Sequence, residues 1–546
     1  MLFVLGSNGE NMTKQARKQE AQANERVVDL FSKNRPTVSI RKTHTPELVI
    51  ALCGPIGSPM HEVANTIAFM LKDFFGYEKC EKIRLSAFID QYAEKVEMSI
   101  SSKPEFDRIN DQINAGNKLR EKYGNSVLAE LAVNAIRLDR ESHKESGRDE
   151  NYKPRRVCHI IDSIKNQEEL DLLRMVYREM LYVVGVFSPL EQREDNLKKR
   201  GLDVHDIYQL IDRDSGEESE SGQTVRDTFP QSDFFLRMDS GTDTQLQQEV
   251  RRFLDLILGT KLITPTHEES AMYMAASAAA NSACLSRQVG AAVTTAEGEV
   301  LATGWNDVPK CGGGLYVSWK GDPNGTDDHR CWNHGGGKCF NHEQKVSFAN
   351  HLLESLKEII PDEKRDQARK AIVSSSKLKG LIEFSRSIHA EMHAILNAGK
   401  LSGGKMTGGK LFVTTYPCHS CARHIVAAGI TEVYYIEPYR KSLAIRLHGD
   451  AISERETDYE KVRLLPFSGV APSRYLDLFR VPSNLRKDEN GQMIKVVPRD
   501  AGPRLEKSME AFPTLEGLVV ESLVARMELI KMEDGKDGKG NGPPAA

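Results

Sequence analysis

Leu411-Phe412-Val413-Thr414-Thr415-Tyr416-Pro417-Cys418-His419-Ser420-Cys421 decides the fold of the second half of this chain. Its first five residues, apolar or β-branched, read as a buried strand. Pro417 ends the strand, and residues 421–428 read as the helix that follows, stopped by Gly429. Both cysteines then stand at a helix N-terminus, where free N–H groups and the helix dipole favour thiolate. Upstream, His389-Ala390-Glu391 opens a second apolar helix over 389–396, with Glu391 lying 26 residues before Pro417. Two helix starts facing one another make a metal cradle. His389, Cys418 and Cys421 supply the three protein ligands of a zinc site that keeps its fourth position for water. Glu391 is too close to His389 to ligate the same face and is placed to move protons. A lone Cys-x-x-Cys also suits a redox pair or half of a structural zinc knuckle. Two motifs in order, each at a helix start, favour a catalytic Zn2+.

This H-x-E…P-C-x-x-C arrangement is that of the zinc nucleobase deaminases. The flanking sequence narrows it. Arg287-Gln288-Val289-Gly290-Ala291-Ala292-Val293 and Val300-Leu301-Ala302-Thr303-Gly304-Trp305-Asn306 read as two strands. They resemble the opening hairpin of the cytidine/deoxycytidylate deaminase fold. Glu437-Pro438-Tyr439-Arg440-Lys441-Ser442 and Leu447-His448-Gly449-Asp450 resemble the segments after the zinc helix of deoxycytidylate deaminases. The resemblance covers residues 268–480. It implies that Asn306 contacts the nucleotide sugar and that the backbone N–H of Ala390 bonds the pyrimidine O2. One departure is His393, where that family usually carries Asn. Arg287, Arg440 and Lys441 stand beside the pocket motifs as candidates for a substrate phosphate.

With 546 residues the chain exceeds one usual core, so more than one domain is expected. An apolar share of 39% and a charged share of 28% suit a soluble globular protein, and no apolar run approaches the ~20 residues of a membrane span. Met1 to Leu5 lacks the basic flank and length of a signal peptide, so a cytoplasmic location and no membrane partner are expected. The nine cysteines are too sparse for a disulfide scaffold. A net charge of −4 argues mildly against nucleic acid as the main partner.

Residues 1–45 read as a flexible arm and residues 46–260 as a first domain. Residues 267–480 read as the deaminase-like domain, with a Gly-rich insertion at 308–345. Residues 481–546 read as an extension, disordered at its end. An acidic, Ser-rich stretch at 214–222 reads as a solvated surface loop. The first domain opens with a buried strand at 47–53, a turn through Gly54, Gly57 and Ser58, and a helix over 60–74. This is the layout of a phosphate-wrapping P-loop. With Gly54 as first glycine, however, Pro59, Met60 and His61 replace the second glycine, the lysine and the Mg-binding hydroxyl. Buried strands at 157–162 and 181–187, with Arg193 and Arg200 on a following helix, extend the strand–helix alternation. Residues 163–170 resemble the matching stretch of nucleotide-monophosphate-kinase-like P-loop proteins. The fold expected is α/β throughout. A P-loop kinase-like three-layer domain with a parallel sheet precedes a cytidine-deaminase-like α/β/α domain. The first domain reads as a phosphate or nucleotide binder without phosphoryl transfer, or as a scaffold.

Cys331, His334, Cys339 and His342 form a second constellation, with Cys311 upstream. Their spacing suits a closed structural Zn2+, against a flexible loop with chance cysteines. Cys53, Cys80, Cys158 and Cys284 sit in apolar or helical contexts and read as core. The order of domains resembles the bacterial anti-phage dCTP deaminases. That resemblance implies hydrolytic deamination of free deoxycytidine nucleotides (dCTP or dCMP) to deplete the dCTP pool. It also leaves room for a regulatory nucleotide or inhibitory partner at the first domain, and a homo-oligomer is expected. A polynucleotide cytosine or adenine deaminase, which needs aromatic stacking along a basic groove, and a non-catalytic nucleotide sensor held by zinc are the competing readings.

Overall fold

The structure is a computed structural model that describes residues 43–102, 104–144, 154–214, 225–238, 243–322, 325–375, 378, 381, 383–438, 442–505, 508–509 and 511–527. The arm before residue 43, the acidic stretch at 215–222, Arg440, Lys441 and the end of the chain after 527 lie outside the described residues.

The first sheet holds five parallel strands. They are β1 (Leu48–Cys53), β2 (Lys79–Arg84), β3 (Val157–Ile164), β4 (Leu181–Phe187) and β5 (Phe234–Arg237), in spatial order β5-β4-β1-β3-β2. β1 pairs with β3 on one side and β4 on the other. Every residue of β1 is buried, as a central parallel strand covered on both faces requires. The helices include α1 (Met60–Asp73), α2 (Val127–Ser142), α3 (Gln167–Tyr177), α4 (Leu190–Lys199), α5 (Val204–Asp214) and α6 (Asp243–Ile257). Asn166 caps α3 in a reciprocal box with Glu169.

α7 (His267–Ala279) starts the second domain from a box between Thr266 and Glu269. The second sheet contains β6 (Gly290–Thr294), β7 (Val300–Trp305), β8 (Lys410–Thr415) and β9 (Glu432–Glu437), with β10 (Ile452–Ser453) and β11 (Val462–Pro466) beyond β9. Its order is β10-β11-β9-β8-β6-β7, parallel except at β6. Two helices carry the motifs, α8 (Ala390–Ser402) and α9 (His419–Ala427). Gly304 of β7 lets α8 lie close, because a Cβ there would stand 2.3 Å from Ala394 N. Alternate residues of these strands face different cores. Ala291, Leu411, Val413 and Val433 pack with α8 and α9. Ala292, Phe412 and Ile436 face α7 and belong to a core shared with Phe229 and Phe235 of the first domain.

From Gly469 onward the chain returns to the first domain. β12 (Gly469–Val470) adds to the first sheet antiparallel to β5, and α10 (Phe512–Met527) packs on α2 and α3. Two buried ion clusters secure the return. Arg140 of α2 bonds Glu47 at 2.7 Å and Glu516 of α10 at 3.1 Å. Glu269 of α7 takes both amino groups of Arg252 from α6, at 2.8 and 2.7 Å, and accepts the N–H of Val470 at 2.9 Å. Segments on both sides of residue 480 therefore contact the first domain.

Candidate metal and nucleotide site

The two motifs meet at the carboxyl end of β8. His389 is the N-cap of α8 and Cys418 the N-cap of α9, so both side chains project from helix starts. The pairing of β8 with β6, and the seating of α8 against β6 and β7, bring them together. His389 Nδ1 lies 3.2 Å from Cys421 Sγ and 3.4 Å from Cys418 Sγ. All three donor atoms fall within 4.8 Å of one another. With Zn–N near 2.05 Å and Zn–S near 2.3 Å, tetrahedral angles put the ligand nitrogen about 3.5 Å from each sulfur. The donors therefore fit zinc in type and spacing.

Their proton chemistry is consistent with a cation site. The Cys418 thiol is lowered to about 4, first by the hydrogen bond from Cys421 and then by His389. The backbone N–H of Cys421 adds to this at 3.4 Å. The same pairing pushes Cys421 up, and the bond to Cys418 holds His389 up, at about 9. One thiolate thus gathers two protons around it, an arrangement in which a divalent cation would take their place. Glu391 is 5% exposed and lies beside the Cys421 thiol. Burial raises its carboxyl to about 6, against the pull of His389.

Ala390 is fully buried at the first position of α8. Asn306 lies at the end of β7, but its amide is engaged locally: Oδ1 accepts from Val289 N–H at 2.7 Å and Nδ2 donates to Arg287 O at 2.9 Å. It therefore shapes the turn that carries Arg287. Arg287 is ion-paired with Glu437, whose other oxygen accepts from Thr415. Glu437 is the partner that sequence reasoning missed. Its place one strand away from β8 follows from register alone, Thr415 opposite Glu437. His393 packs edge-on against Trp305 with ring centroids 4.8 Å apart, and its Nδ1 lies 3.2 Å from the Trp305 backbone. Burial lowers its pKa.

Residues 265–437 match the family described as cytidine and deoxycytidylate deaminase zinc-binding region. The chain is 48% identical over 56 residues to the ComE operon protein 2 of Bacillus subtilis (strain 168), covering 10% of this chain and 29% of that protein. It is 30% identical over 89 residues to a probable deoxycytidylate deaminase of Drosophila melanogaster, covering 16% and 36%. The chain thus spans about a third of the length of the curated relatives it matches. Among solved structures it resembles the dCMP deaminase of cyanophage S-TIM5 in complex with dCMP and dUMP, at 21% identity and a TM-score of 0.22. That match covers 38% of this chain and 99% of the other.

Two expected sites take a different form. The insertion does not gather Cys331, His334, Cys339 and His342 into a cage. Among the described residues the only groups with donor atoms close enough for a metal are His389/Cys418/Cys421 and Glu81/Asp139/His159. The His334 ring packs against His329 and Phe340, Cys339 caps the helix Phe340–Ser355, and His342 is exposed on that helix. Cys331 turns inward and is buried. In the second group, Lys79 and Arg155 already hold Asp139, at 2.6 Å each.

The loop through Gly54, Gly57 and Ser58 is likewise no open phosphate cradle. The N–H of Ile56 donates to Asp214 Oδ2 at 2.6 Å, and Lys165 Nζ reaches Asp214 Oδ1 at 2.7 Å and Gly54 O at 2.9 Å. Asp214, expected on a solvated loop, is 2% exposed. Its carboxylate occupies the anion position that the loop offers. Gly54 seats the loop against β4, since a Cβ would stand 2.2 Å from Val186 O. Gly57 takes φ +85° beside Arg193, whose Nε donates to Ile56 O at 2.7 Å. Ser58 N–H bonds back to Pro55 O at 3.1 Å. His61 pairs with Asp162 at 2.5 Å, where a P-loop would hold magnesium.

Proposed function

We propose that this protein is a zinc-dependent hydrolytic deaminase of free deoxycytidine nucleotides, converting dCTP or dCMP to the uracil nucleotide and so lowering the deoxycytidine pool, in the manner of anti-phage defence. The observation that carries the chemistry is the convergence of His389, Cys418 and Cys421 around one position beside a buried Glu391. The match of residues 265–437 to a deaminase zinc-binding region supports it. The substrate class is supported by the deoxycytidylate deaminase relative and by the segments after α9 that resemble that family.

His389, Cys418 and Cys421 would hold zinc, which supplies a water acidic enough to attack at neutral pH. Glu391 would take one proton from the attacking water and deliver it to N3 as the C4–O bond forms, then pass the proton of the new C4 hydroxyl to the amino group, which leaves as ammonia when the C4–N bond breaks. Burial of Glu391 raises its pKa to about 6, which suits a group that both takes and gives a proton near neutral pH. The Ala390 N–H at the start of α8 bonds the pyrimidine O2. Arg287, with Glu437, orients phosphate or sugar at the rim. Arg440 and Lys441 remain phosphate candidates from sequence position. The test is deamination of dCTP, dCMP, CTP, CMP and single-stranded DNA by the full chain and by Glu391→Ala. Release of ammonia from a deoxycytidine nucleotide, reduced at least about 10²–10⁴-fold in the variant with zinc content unchanged, is the expected result. Turnover confined to single-stranded DNA, or a fully active variant, overturns the proposal.

A further inference from the structure

A cavity of about 820 Å³ separates the carboxyl ends of the first sheet from the second domain. Phe187, Arg193, Asp214 and Arg226 line it on one side, and Tyr416, Tyr435 and Glu454 on the other. Its volume is that of a small-molecule site, and it lies where such sites concentrate: between domains and at the switch point of an open α/β sheet, β1 sitting between β3 and β4.

Its walls specify a class of ligand. The Phe187 and Phe229 rings stand 6.3 Å apart on one side, and those of Tyr416 and Tyr435 4.9 Å apart on the other. Each pair is tilted or edge-on and mostly buried, so the two walls give the cavity an apolar aromatic lining against which a ring can lie. The carboxylates that line the cavity are engaged within the protein. Asp214 holds Lys165 and the Ile56 N–H, Glu454 accepts the Tyr416 hydroxyl at 2.8 Å, Glu191 pairs with Arg455, Asp195 with Lys198, Glu456 with Arg237 and Asp458 with Lys461. Arg226 differs, because its Nε is buried without a hydrogen-bond partner. A buried donor left unpaired is costly, and a guanidinium is built to grip phosphate. Asp214 closes the loop below, so an anion entering here is directed to Arg226 rather than to the turn at Gly54.

The wall is also the backbone of the metal site. Tyr416 precedes Pro417-Cys418 directly, and Ser442 Oγ, from the same wall, donates to Pro417 O at 2.7 Å. We propose that this interdomain cavity binds a nucleoside phosphate as an effector, ring between the aromatic walls and phosphate on Arg226, and that occupancy is transmitted through Tyr416 and Pro417 to the cysteine ligands. The transmission rests on the deaminase assignment above; the binding does not.

Isothermal titration of the full chain with ATP, GTP, AMP, GMP and inorganic phosphate tests it, since purines lack the cytosine ring that the zinc site would process. One purine nucleotide should bind at one site per chain, and free phosphate at least tenfold more weakly. Arg226→Ala should weaken binding about ten- to a hundredfold, and Ile445→Trp, which fills the cavity from the second domain, should abolish it. Thermal melting checks that both variants fold. Hydrogen exchange on the unmodified protein should show new protection at 187–193 and 452–458, which locates the ligand without any variant. No purine binding, or binding that both variants leave intact with no protection there, overturns the site. Phosphate binding as tightly as any nucleotide overturns the ring assignment. The bound nucleotide should also change the dCTP or dCMP deamination rate of the unmodified protein and not that of Arg226→Ala. An unchanged rate overturns the transmission, whereas no turnover under any condition overturns the deaminase assignment and leaves the binding result standing.

Discussion

Replacing Arg140 by Met should loosen the C-terminal helix from the first domain. Arg140 is 3% exposed and sits between Glu47 and Glu516, both essentially without solvent access. A methionine preserves much of the aliphatic volume but leaves two buried carboxylates without a cation. Breaking a buried pair by removing one partner costs about 3–5 kcal/mol. For a cooperative unit of about 150–250 residues, that lowers Tm by roughly 6–20 °C. The loss should also depend on pH. Burial raises Glu47 above its ordinary value, and Arg140 is the largest influence opposing that rise. Without Arg140 the folded-state pKa of Glu47 climbs further above the unfolded one. A group of that kind favours the folded state below its unfolded pKa and loses that contribution as pH rises through its folded pKa. The Tm deficit against the unmodified protein should therefore be larger at pH 7.5 than at pH 5, read by circular dichroism at both. A deficit under about 2 °C, or one equal at the two pH values, would refute the view that this ion cluster ties the chain's end to its beginning.

Cys418→Ala and Cys421→Ala should each lose zinc and deamination together, because two remaining protein ligands hold the metal poorly; full metal content by elemental analysis would mean that other residues are the ligands. Asp214→Ala should destabilise the first domain by about 1.5–3 kcal/mol, since Ile56 N–H and Lys165 lose a charged acceptor. Millimolar phosphate should then restore more Tm in the variant than in the unmodified protein, and an equal response would show that the loop is no anion seat. Gly304→Ala should cost about 1–3 kcal/mol or more and depress activity with stability, because its Cβ would collide with the backbone of α8 at 2.3 Å. Unchanged melting would show that α8 can draw back.

The grouping of His389, Cys418 and Cys421 beside Glu391 could be read from sequence because each motif lies within one short segment. Strand, proline, cysteine pair and helix are consecutive, so the N-caps at His389 and Cys418 follow from local propensity and capping. Strand–helix alternation likewise sufficed for the α/β class and the parallel first sheet. Tertiary structure alone decided the rest. The Asp214 carboxylate is the same chemical group on a solvated loop or buried against Ile56, and at a separation of 158 positions local sequence says nothing of their meeting. The insertion's cysteines and histidines have metal-like spacing, yet a closed site needs all four donors to converge, and the packing of His334 and the helix at Cys339 send them apart. The return of Val470 to the first sheet and of Glu516 to Arg140 rests on contacts 201 and 376 residues apart. Local sequence specifies which backbone groups can pair with near neighbours. Long-range burial selects distant partners by shape and charge across the whole fold, and that information is spread over both domains rather than written in either segment.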